Sequence, residues 1–341
     1  MTRKNAQEIT HETETLRSPV PFYGSKARLA GQIVAMLPPH AHYLEPCAGS
    51  LSVLLAKPPA RMETVNDLDG DLMTFWRVLR DRPADLERVC ALTPYARGEH
   101  RAAVLGDGLD ELERARRVWV KLTQGRSGSL RVTGWRHARN AEGRFRGPAR
   151  LGTSLDRIAP AAHRLRQVGL ECRPAVDLLR DYGTGPRADR TLIYLDPPYL
   201  GSTRTRNYRV EATTAAAHIE LAEHARACSA TVVVSGYPCE LYDRELYPDW
   251  YRYELHAYTT QGNGDHDRTE VLWSNRPLRQ QLPLTDSPEF RDIRASERTG
   301  CHETRCAEPS CAKVITQPRT GRPRRYCGAT CRQRARRSRA S

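Results

Sequence analysis

The sequence predicts an α/β fold built on an open, doubly wound sheet, and three stretches predict it. Residues 191–195, Thr-Leu-Ile-Tyr-Leu, form an apolar run rich in β-formers, the pattern of a buried strand, and Asp196-Pro197-Pro198 stops it abruptly. Residues 43–55 read as a short strand, a small-residue turn from Cys47 to Ser50, and a helix with apolar Leu51, Leu54 and Leu55. Thr64-Val65-Asn66-Asp67 reads as a second strand that ends in an acid. A strand, a glycine turn and a helix open a doubly wound sheet, whose ligands sit beyond the carboxyl ends of the strands.

The tip after residue 195 carries chemistry. A proline cannot donate to a ladder and holds the residue before it extended, so Asp196-Pro197-Pro198-Tyr199 is rigid. It offers one carboxylate, a carbonyl outside any ladder and one aromatic face. An exocyclic amine on a nucleobase is a poor nucleophile because its lone pair is delocalised into the ring. Asp196 and the Pro197 carbonyl can each accept a hydrogen bond from such an amine, drawing its nitrogen toward tetrahedral geometry, while Tyr199 stacks on the base. The activated nitrogen can then attack a methyl sulfonium in line. The plainer alternative is a strand followed by a tight turn, with Asp196 solvated.

Taken in order, residues 1–20 are polar and without periodicity, the pattern of a disordered arm. In the segment that follows, Ser25 can cap a helix running through Leu29, Ile33 and Met36, stopped by Pro38-Pro39. A capped helix start attracts anions, and Lys26 adds a charge that suits a carboxylate. Phe22 and Tyr23 can face a sulfonium or an adenine ring; an ordinary N-terminal helix is the other reading. The turn around Gly49 lacks the full G-x-G-x-x-G pattern, which disfavours a dinucleotide. Asp67 lies 18 residues after Gly49, close to the offset at which an acid reaches ribose hydroxyls. Asp69 can cap the next helix, residues 69–80, and leave Asp67 free.

Residues 91–150 form an insertion. A helix is expected over 110–124 on apolar Leu112, Ala115, Val118, Trp119 and Leu122. Residues 125–148 are then rich in glycine and arginine with interleaved aromatics: Arg126, Arg131, Trp135, Arg136, Arg139, Arg144, Phe145 and Arg146. Arginines neutralise phosphates and read guanine edges, and aromatics stack or wedge; a mobile surface loop is the alternative. Beyond the tip, polar residues 200–211 read as a flap, 213–228 as a helix and 231–235 as a core strand. Residues 251–258 and 270–273 read as an antiparallel pair turning at 261–265. Cys239 suggests a nucleophile for cytosine C5 chemistry, but no other motif of that chemistry follows, and a buried cysteine is commoner.

The chain of 341 residues is long enough for one large or two ordinary domains, and 39% apolar with 28% charged residues is a globular balance. With no long apolar run and no signal peptide, the expectation is a protein of the cytoplasm without a membrane segment. The net charge of +14 is local: residues 305–341 carry +10 and residues 91–150 carry +7, leaving −3 for the rest. Localised positive charge is the footprint of nucleic-acid binding, against the alternative of a solvated surface.

Five of the ten cysteines lie between Cys301 and Cys331, and the others are scattered in apolar surroundings. That pattern belongs to a reduced compartment with one metal site rather than to a disulfide framework. After a polar linker over 286–304, Cys306-x4-Cys311-x15-Cys327-x3-Cys331 has the spacing of a four-cysteine zinc ribbon or treble-clef knuckle. Residues 305–341 are too few to bury a core, so metal binding would supply the module's folding energy. The arginine run after Cys331 can lie along phosphates; an unstructured tail with incidental thiols is the alternative.

The Asp-Pro-Pro-Tyr tetrapeptide after an apolar strand resembles the catalytic motif of S-adenosylmethionine-dependent amino-methyltransferases, and its Asp form resembles the adenine-N6 branch. Aromatic-Gly-Ser-Lys, then the glycine turn, then the ribose acid, then a long insertion, then Asp-Pro-Pro-Tyr is similar to the Dam-like group of adenine-N6 DNA methyltransferases, over about residues 20–275. The resemblance implies a Rossmann-like methyltransferase sheet over 21–90 and 151–285, with target recognition in 91–150. It implies Asp196, Pro197, Pro198 and Tyr199 at the reacting base. Phe22, Tyr23, Lys26, Glu45, Pro46, Cys47, Gly49, Ser50, Asp67 and Asp196 are then expected around S-adenosylmethionine. Duplex DNA is the implied partner, met by Arg126, Arg131, Arg136, Arg139, Arg144 and Arg146, with a cognate restriction endonuclease as a second candidate. A ribosomal RNA amino-methyltransferase and a non-catalytic DNA-binding protein are the competing readings. Reaction at an exocyclic amine requires the base out of the stack.

Overall fold

The computed structural model of the protein describes residues 15–137, 146–199, 214–259, 266–279, 303–305, 311 and 314–316. They belong to two units, one up to Arg279 and one from Gln280 onward.

The first unit opens with α1 (Ala30–Met36), β1 (His42–Glu45), α2 (Ser52–Ala56) and β2 (Met62–Asn66). The helices α3 (Gly70–Asp81), α4 (Pro83–Ala91), α5 (Arg97–Ala102), α6 (Glu111–Gln124), α7 (Gly147–Leu155) and α8 (Ile158–Leu165) then lead to β3 (Val168–Glu171). The chain continues through α9 (Ala175–Gly183), β4 (Thr191–Leu195), α10 (Ala215–Ala227) and β5 (Thr231–Gly236). A π-helical turn, Leu241–Leu246, precedes β6 (Tyr251–Thr259) and β7 (His266–Ser274).

The seven strands form one sheet in the order β3-β2-β1-β4-β5-β7-β6. All neighbours are parallel except β7, which runs antiparallel to β5 and to β6. Every residue of β1, β4 and β5 is buried, as central parallel strands covered on both faces require. Successive side chains enter opposite cores. Tyr43, Tyr194, Val233 and Leu272 join the core under α1, α3, α6 and α8, whereas Leu44, Ile193, Val232 and Trp273 join the core under α9 and α10.

Local sequence explains the boundaries. Asp69 caps α3, its Oδ1 accepting from the amides of Asp71 (3.1 Å) and Leu72 (3.3 Å). Asp110 does the same for α6, accepting from Leu112 (3.0 Å) and Glu113 (3.3 Å). The stripe Ala115, Val118, Trp119 and Leu122 on α6 is fully buried and packs against α3, as its spacing predicts. Helices of residues 91–150 thus share a core with α3, α4 and α8 rather than forming a body of their own.

Three departures from the sequence-based expectation have physical causes. The first helix starts at Ala30 rather than after Ser25, because the chain turns at residues 23–24 and 27–29 and buries the Lys26 side chain between them. Residues 15–20 are not all arm: Val20 is buried, and the Pro19 carbonyl accepts a hydrogen bond from the Ser154 hydroxyl. The terminal hairpin is longer than expected, pairing Tyr251 to Ser274 at one end and Thr259 to His266 at the other.

In the second unit, β8 (Glu303–Arg305) and β9 (Val314–Thr316) pair antiparallel, with Arg305 opposite Val314. Cys311 lies in the segment between them. Cys306, Cys327, Cys331, the basic run, the flap, the hairpin turn at 261–265, Arg139, Arg144, Phe145 and residues 286–302 of the expected linker lie outside the described residues, while its last two, Glu303 and Thr304, belong to β8. Among the described residues no cluster of metal-ligating side chains occurs, and no helix is long and apolar enough to cross a membrane.

Candidate active site

The strand order reverses at β1. The chain winds outward to β2 and β3 and then returns to the other side of β1 as β4. A crevice therefore opens beyond the carboxyl ends of β1 and β4, the place where open α/β sheets bind ligands. A pocket occupies it. Glu45, Pro46, Cys47, Gly49 and Ser50 from the β1 turn line it, with Asp67 after β2, Asp196 and Pro198 after β4, and Phe22, Tyr23 and Lys26 from the N-terminal segment.

The β1 turn is shaped for close approach. Gly49 has φ +48°, and a Cβ built on it would lie 3.2 Å from the Phe22 ring. Leu51, fully buried, is held at φ 55°, a left-handed conformation that is uncommon for a non-glycine residue and clusters at ligand-binding turns. Three bonds fix the turn to its surroundings. The Ala48 amide donates to the Asn66 carbonyl (2.8 Å), the Gly49 amide to Asp67 Oδ2 (3.0 Å), and Trp76 Nε1 to the Gly49 carbonyl (3.1 Å). The hydroxyls of Ser25, Ser50 and Ser52 share hydrogen bonds of 2.8 Å, tying this turn to the N-terminal segment.

Two acids in the pocket are tuned by burial. Asp67 also accepts from the Asp69 amide (3.0 Å), yet loss of water outweighs these bonds and raises its carboxyl to about 6. Glu45 Oε2 accepts from the Tyr43 hydroxyl (2.9 Å) and the Leu54 amide (3.2 Å), fastening α2 to β1. Its burial is deeper in effect and pushes the carboxyl up to about 8, so Glu45 is protonated at neutral pH. Burial likewise raises the Cys47 thiol far above its ordinary range, which makes it a neutral wall of the pocket.

Asp196 sits at the meeting of pocket and cleft. Lys26 Nζ lies 2.6 Å from its Oδ1 and 2.7 Å from its Oδ2, and 3.5 Å from Glu270 Oε1. Burial raises the Asp196 carboxyl to about 6, the Lys26 charge opposing and the Glu270 charge adding to the rise. Burial works to lower the Lys26 ammonium, but Asp196 and Glu270 together hold it above its usual value. Tyr199 lies under the same cation, its ring centroid 4.9 Å from Lys26 Nζ. The Tyr199 hydroxyl donates to Glu270 Oε1 at 2.5 Å, and the ring stands 4.4 Å from that of Tyr237 at 51°.

On the far side of Lys26 opens a larger cleft. Tyr199, Tyr237 and Glu270 line it together with Arg17, Arg28, Arg126, Arg136, Arg146, Arg150 and Arg157. Arg126, Arg136 and Arg146, expected at nucleic acid, line it together; Arg131 does not. Arg136 also braces the insertion loop, donating to the carbonyls of Gly125 (3.0 Å) and Arg126 (2.8 Å). Arg17, Arg28, Arg150 and Arg157 escaped the sequence reading because they are spread over three elements that only the fold brings together. Glu270 carried a signal: an acid beginning the apolar run Val271-Leu272-Trp273 is buried at a cost unless it is bonded.

Comparison with known proteins gives this geometry its chemistry. The chain is similar to the Type II methyltransferase M1.LlaDCHI of Lactococcus lactis subsp. cremoris, with 23% identity over 282 residues covering 76% of this chain and 95% of that protein. Among solved structures, it is similar to the O-methyltransferase TomG from Streptomyces achromogenes (13% identity, 73% of this chain and 78% of that one, TM-score 0.30). It is also similar to the precorrin-6y C5,15-methyltransferase from Geobacter metallireducens GS-15 (10% identity, 73% and 85%, TM-score 0.29). The family model of the D12 class N6 adenine-specific DNA methyltransferases matches residues 22–261, a span that runs from the Phe22 wall of the pocket through Asp196 and into the terminal hairpin. The chain belongs to the D12 class of N6 adenine-specific DNA methyltransferases and methylates adenine N6 in DNA with S-adenosylmethionine as methyl donor.

Proposed function

We propose that Asp196, Pro197, Pro198 and Tyr199 carry the reaction at a flipped adenine. The observation that supports this best is the position of Asp196: it lines the pocket of the β1 turn, while Tyr199, three residues on, lines the arginine-rich cleft. S-adenosylmethionine supplies an electrophilic methyl group. Asp196 and the Pro197 carbonyl accept hydrogen bonds from the adenine amine and localise its lone pair, and the Tyr199 ring stacks on the base. Lys26 offsets the burial of Asp196, which keeps the carboxylate ionised at neutral pH.

The pocket fits the cofactor. Gly49 lets the Phe22 ring close against the β1 turn as a wall of the pocket, and Asp67 presents a half-buried carboxylate just after β2 suited to ribose hydroxyls. Phe22, Tyr23, Glu45, Pro46, Cys47 and Ser50 complete the walls, with Lys26 at the side nearest Asp196. The arginines of the cleft, of which Arg17, Arg28, Arg126, Arg146 and Arg150 are exposed, take the DNA phosphates.

The order of motifs, with residues 91–150 between Asp67 and Asp196, supports placement in the Dam-like group and target recognition by that segment. Residues 21–90 and 151–285 make the methyltransferase core in this reading, and 286–304 the linker. Residues 305–341 are read as a basic zinc module: the β8–β9 pair brackets the segment holding Cys306 and Cys311, and four thiols are a zinc donor set. Likeness to a Type II methyltransferase supports a role in DNA modification beside a cognate restriction endonuclease, in the cytoplasm at the nucleoid.

The test is transfer of labelled methyl groups to duplex DNA and to RNA, with N6-methyladenine identified by mass spectrometry. Duplex DNA is the expected acceptor. Asp196→Ala should lower the rate on the order of 10²-fold or more while DNA affinity persists; an active purified variant would remove Asp196 from its role.

A further inference from the structure

Glu270 has no role in the assignment above, yet it joins the parts that do. It lies on β7, is 5% exposed, and is followed by three fully buried apolar residues. An acid in such a strand is retained only where its oxygens are met. Oε1 accepts from the Tyr199 hydroxyl at 2.5 Å and from the Ser235 hydroxyl at 2.8 Å, and Lys26 Nζ stands 3.5 Å away. Ser235 is itself fully buried on β5, the strand next to β7. One oxygen therefore ties the tip after β4, the strand β5 and the N-terminal segment to β7.

We propose that Glu270 is a positioning residue for methyl transfer: through the Tyr199 hydroxyl it fixes the ring on which the adenine stacks, and through Lys26 it shares the cation that holds Asp196. The proposal rests on the assignment of Asp196 and Tyr199 to the reacting base. Its logic is geometric. A phenol hinged only at its Cβ can swing about two torsions, whereas a phenol whose hydroxyl is bonded to a buried strand cannot. Lys26, shared between two carboxylates, is drawn to a fixed place between them, so Asp196 presents its oxygens in one orientation.

The experiment compares Glu270→Gln, Glu270→Ala, Tyr199→Phe and the double variant Tyr199→Phe/Glu270→Ala in the full-length enzyme, by single-turnover methylation of duplex DNA across pH. Glutamine keeps an acceptor for Tyr199 and Ser235 but removes the charge. The groups facing Asp196 are Lys26, Tyr199, Tyr194, Glu45, Cys47 and Glu270, and of these the Glu270 charge adds to the burial that raises the Asp196 carboxyl. Glu270→Gln should therefore move the acid limb of the rate to lower pH, a change that a purely structural acid would not produce. Glu270→Ala should slow the single-turnover rate by about 10²-fold with the affinity for S-adenosylmethionine unchanged. Combined with Tyr199→Phe it should cost no more than the larger single change, because both break one bond. An unmoved acid limb together with additive losses would overturn the proposal. If Glu270→Ala fails to fold, the Gln and Phe variants decide it on the acid limb. Full activity in Asp196→Ala would sink the underlying assignment instead, so the two failures are distinguishable.

Discussion

Lys26 and Asp196 are separated by 170 positions in the chain, yet the ammonium lies within 2.7 Å of both oxygens of the carboxylate. The turns that precede the first helix bring Lys26 to this contact, which ties the N-terminal segment to the tip after β4. Loss of water favours the neutral carboxyl, which accepts weakly from an amine, and the Lys26 charge opposes that shift. With Lys26 beside it the carboxyl stands at about 6, so it is ionised when the enzyme works.

Activity should therefore fall as pH drops through about 6, the value at which Asp196 takes up a proton. Ionised Asp196 is present above that pH and lost below it. Replacing Lys26 with methionine leaves burial and the Glu270 charge less opposed, so the acid limb should move to higher pH. A pH–rate profile of single-turnover methylation at saturating cofactor reads both effects; a limb that stays in place in Lys26→Met would separate the pair from the chemistry.

Asp67 governs a different step. In the proposed cofactor site its carboxylate, already held by the Gly49 and Asp69 amides, would receive ribose hydroxyls, and a charge-assisted hydrogen bond is worth about 1.5–3 kcal/mol. Asp67→Ala should weaken S-adenosylmethionine binding by that amount in calorimetry. Equal affinity in the variant would mean that Asp67 serves only to order the turn through Gly49 and Asp69.

Much of this was legible in the sequence, for reasons that differ by element. β4 and its end at Asp196 could be read because an apolar run stopped by two prolines is a local signal for a strand and its limit. The caps at Asp69 and Asp110 and the stripe on α6 are likewise local signals. β3 and α9 were not read: Val168 is the only fully buried residue of β3, an edge strand with no apolar run to mark it. The contacts Lys26–Asp196 and Tyr199–Glu270 were out of reach because no periodicity links residues that sequence places far apart. Arg150 was missed because it sits in an ordinary helix, α7, and Arg157 because it lies in the short turn before α8; only the fold brings both to the cleft that Arg126 lines.

Glu45 predicts a pH dependence of stability rather than of rate. Its folded carboxyl is raised to about 8 from an ordinary value of 4.5. The stability it contributes is thus fully present below about 4.5 and is lost as pH rises through about 8. Glu45→Gln cannot ionise, and its amide oxygen can still accept from Tyr43 and Leu54. Thermal unfolding should find the variant close to the native protein at pH 5 and more stable at pH 9. The reverse order at pH 9 would show that Glu45 is charged in the fold.

The tail is the most separable part of the chain. Residues 305–341 carry +10 and the four-cysteine pattern but none of the groups around Asp196. As a zinc-bound affinity module it would add phosphate contacts, and each such contact releases counterions, so its contribution must fall steeply with salt. Deleting residues 300–341 should leave single-turnover methylation of saturating DNA nearly unchanged, raise the Kd for DNA and flatten the slope of log affinity against log salt. The intact protein should hold about one zinc, and substitution of Cys327 should release it, because the thiolates supply both the binding and the folding energy of so small a module. Absence of zinc by metal analysis would refute the module. An unaltered affinity and salt slope in the truncated enzyme would instead take the tail off the substrate and leave a protein, such as the cognate endonuclease, as what its charge meets.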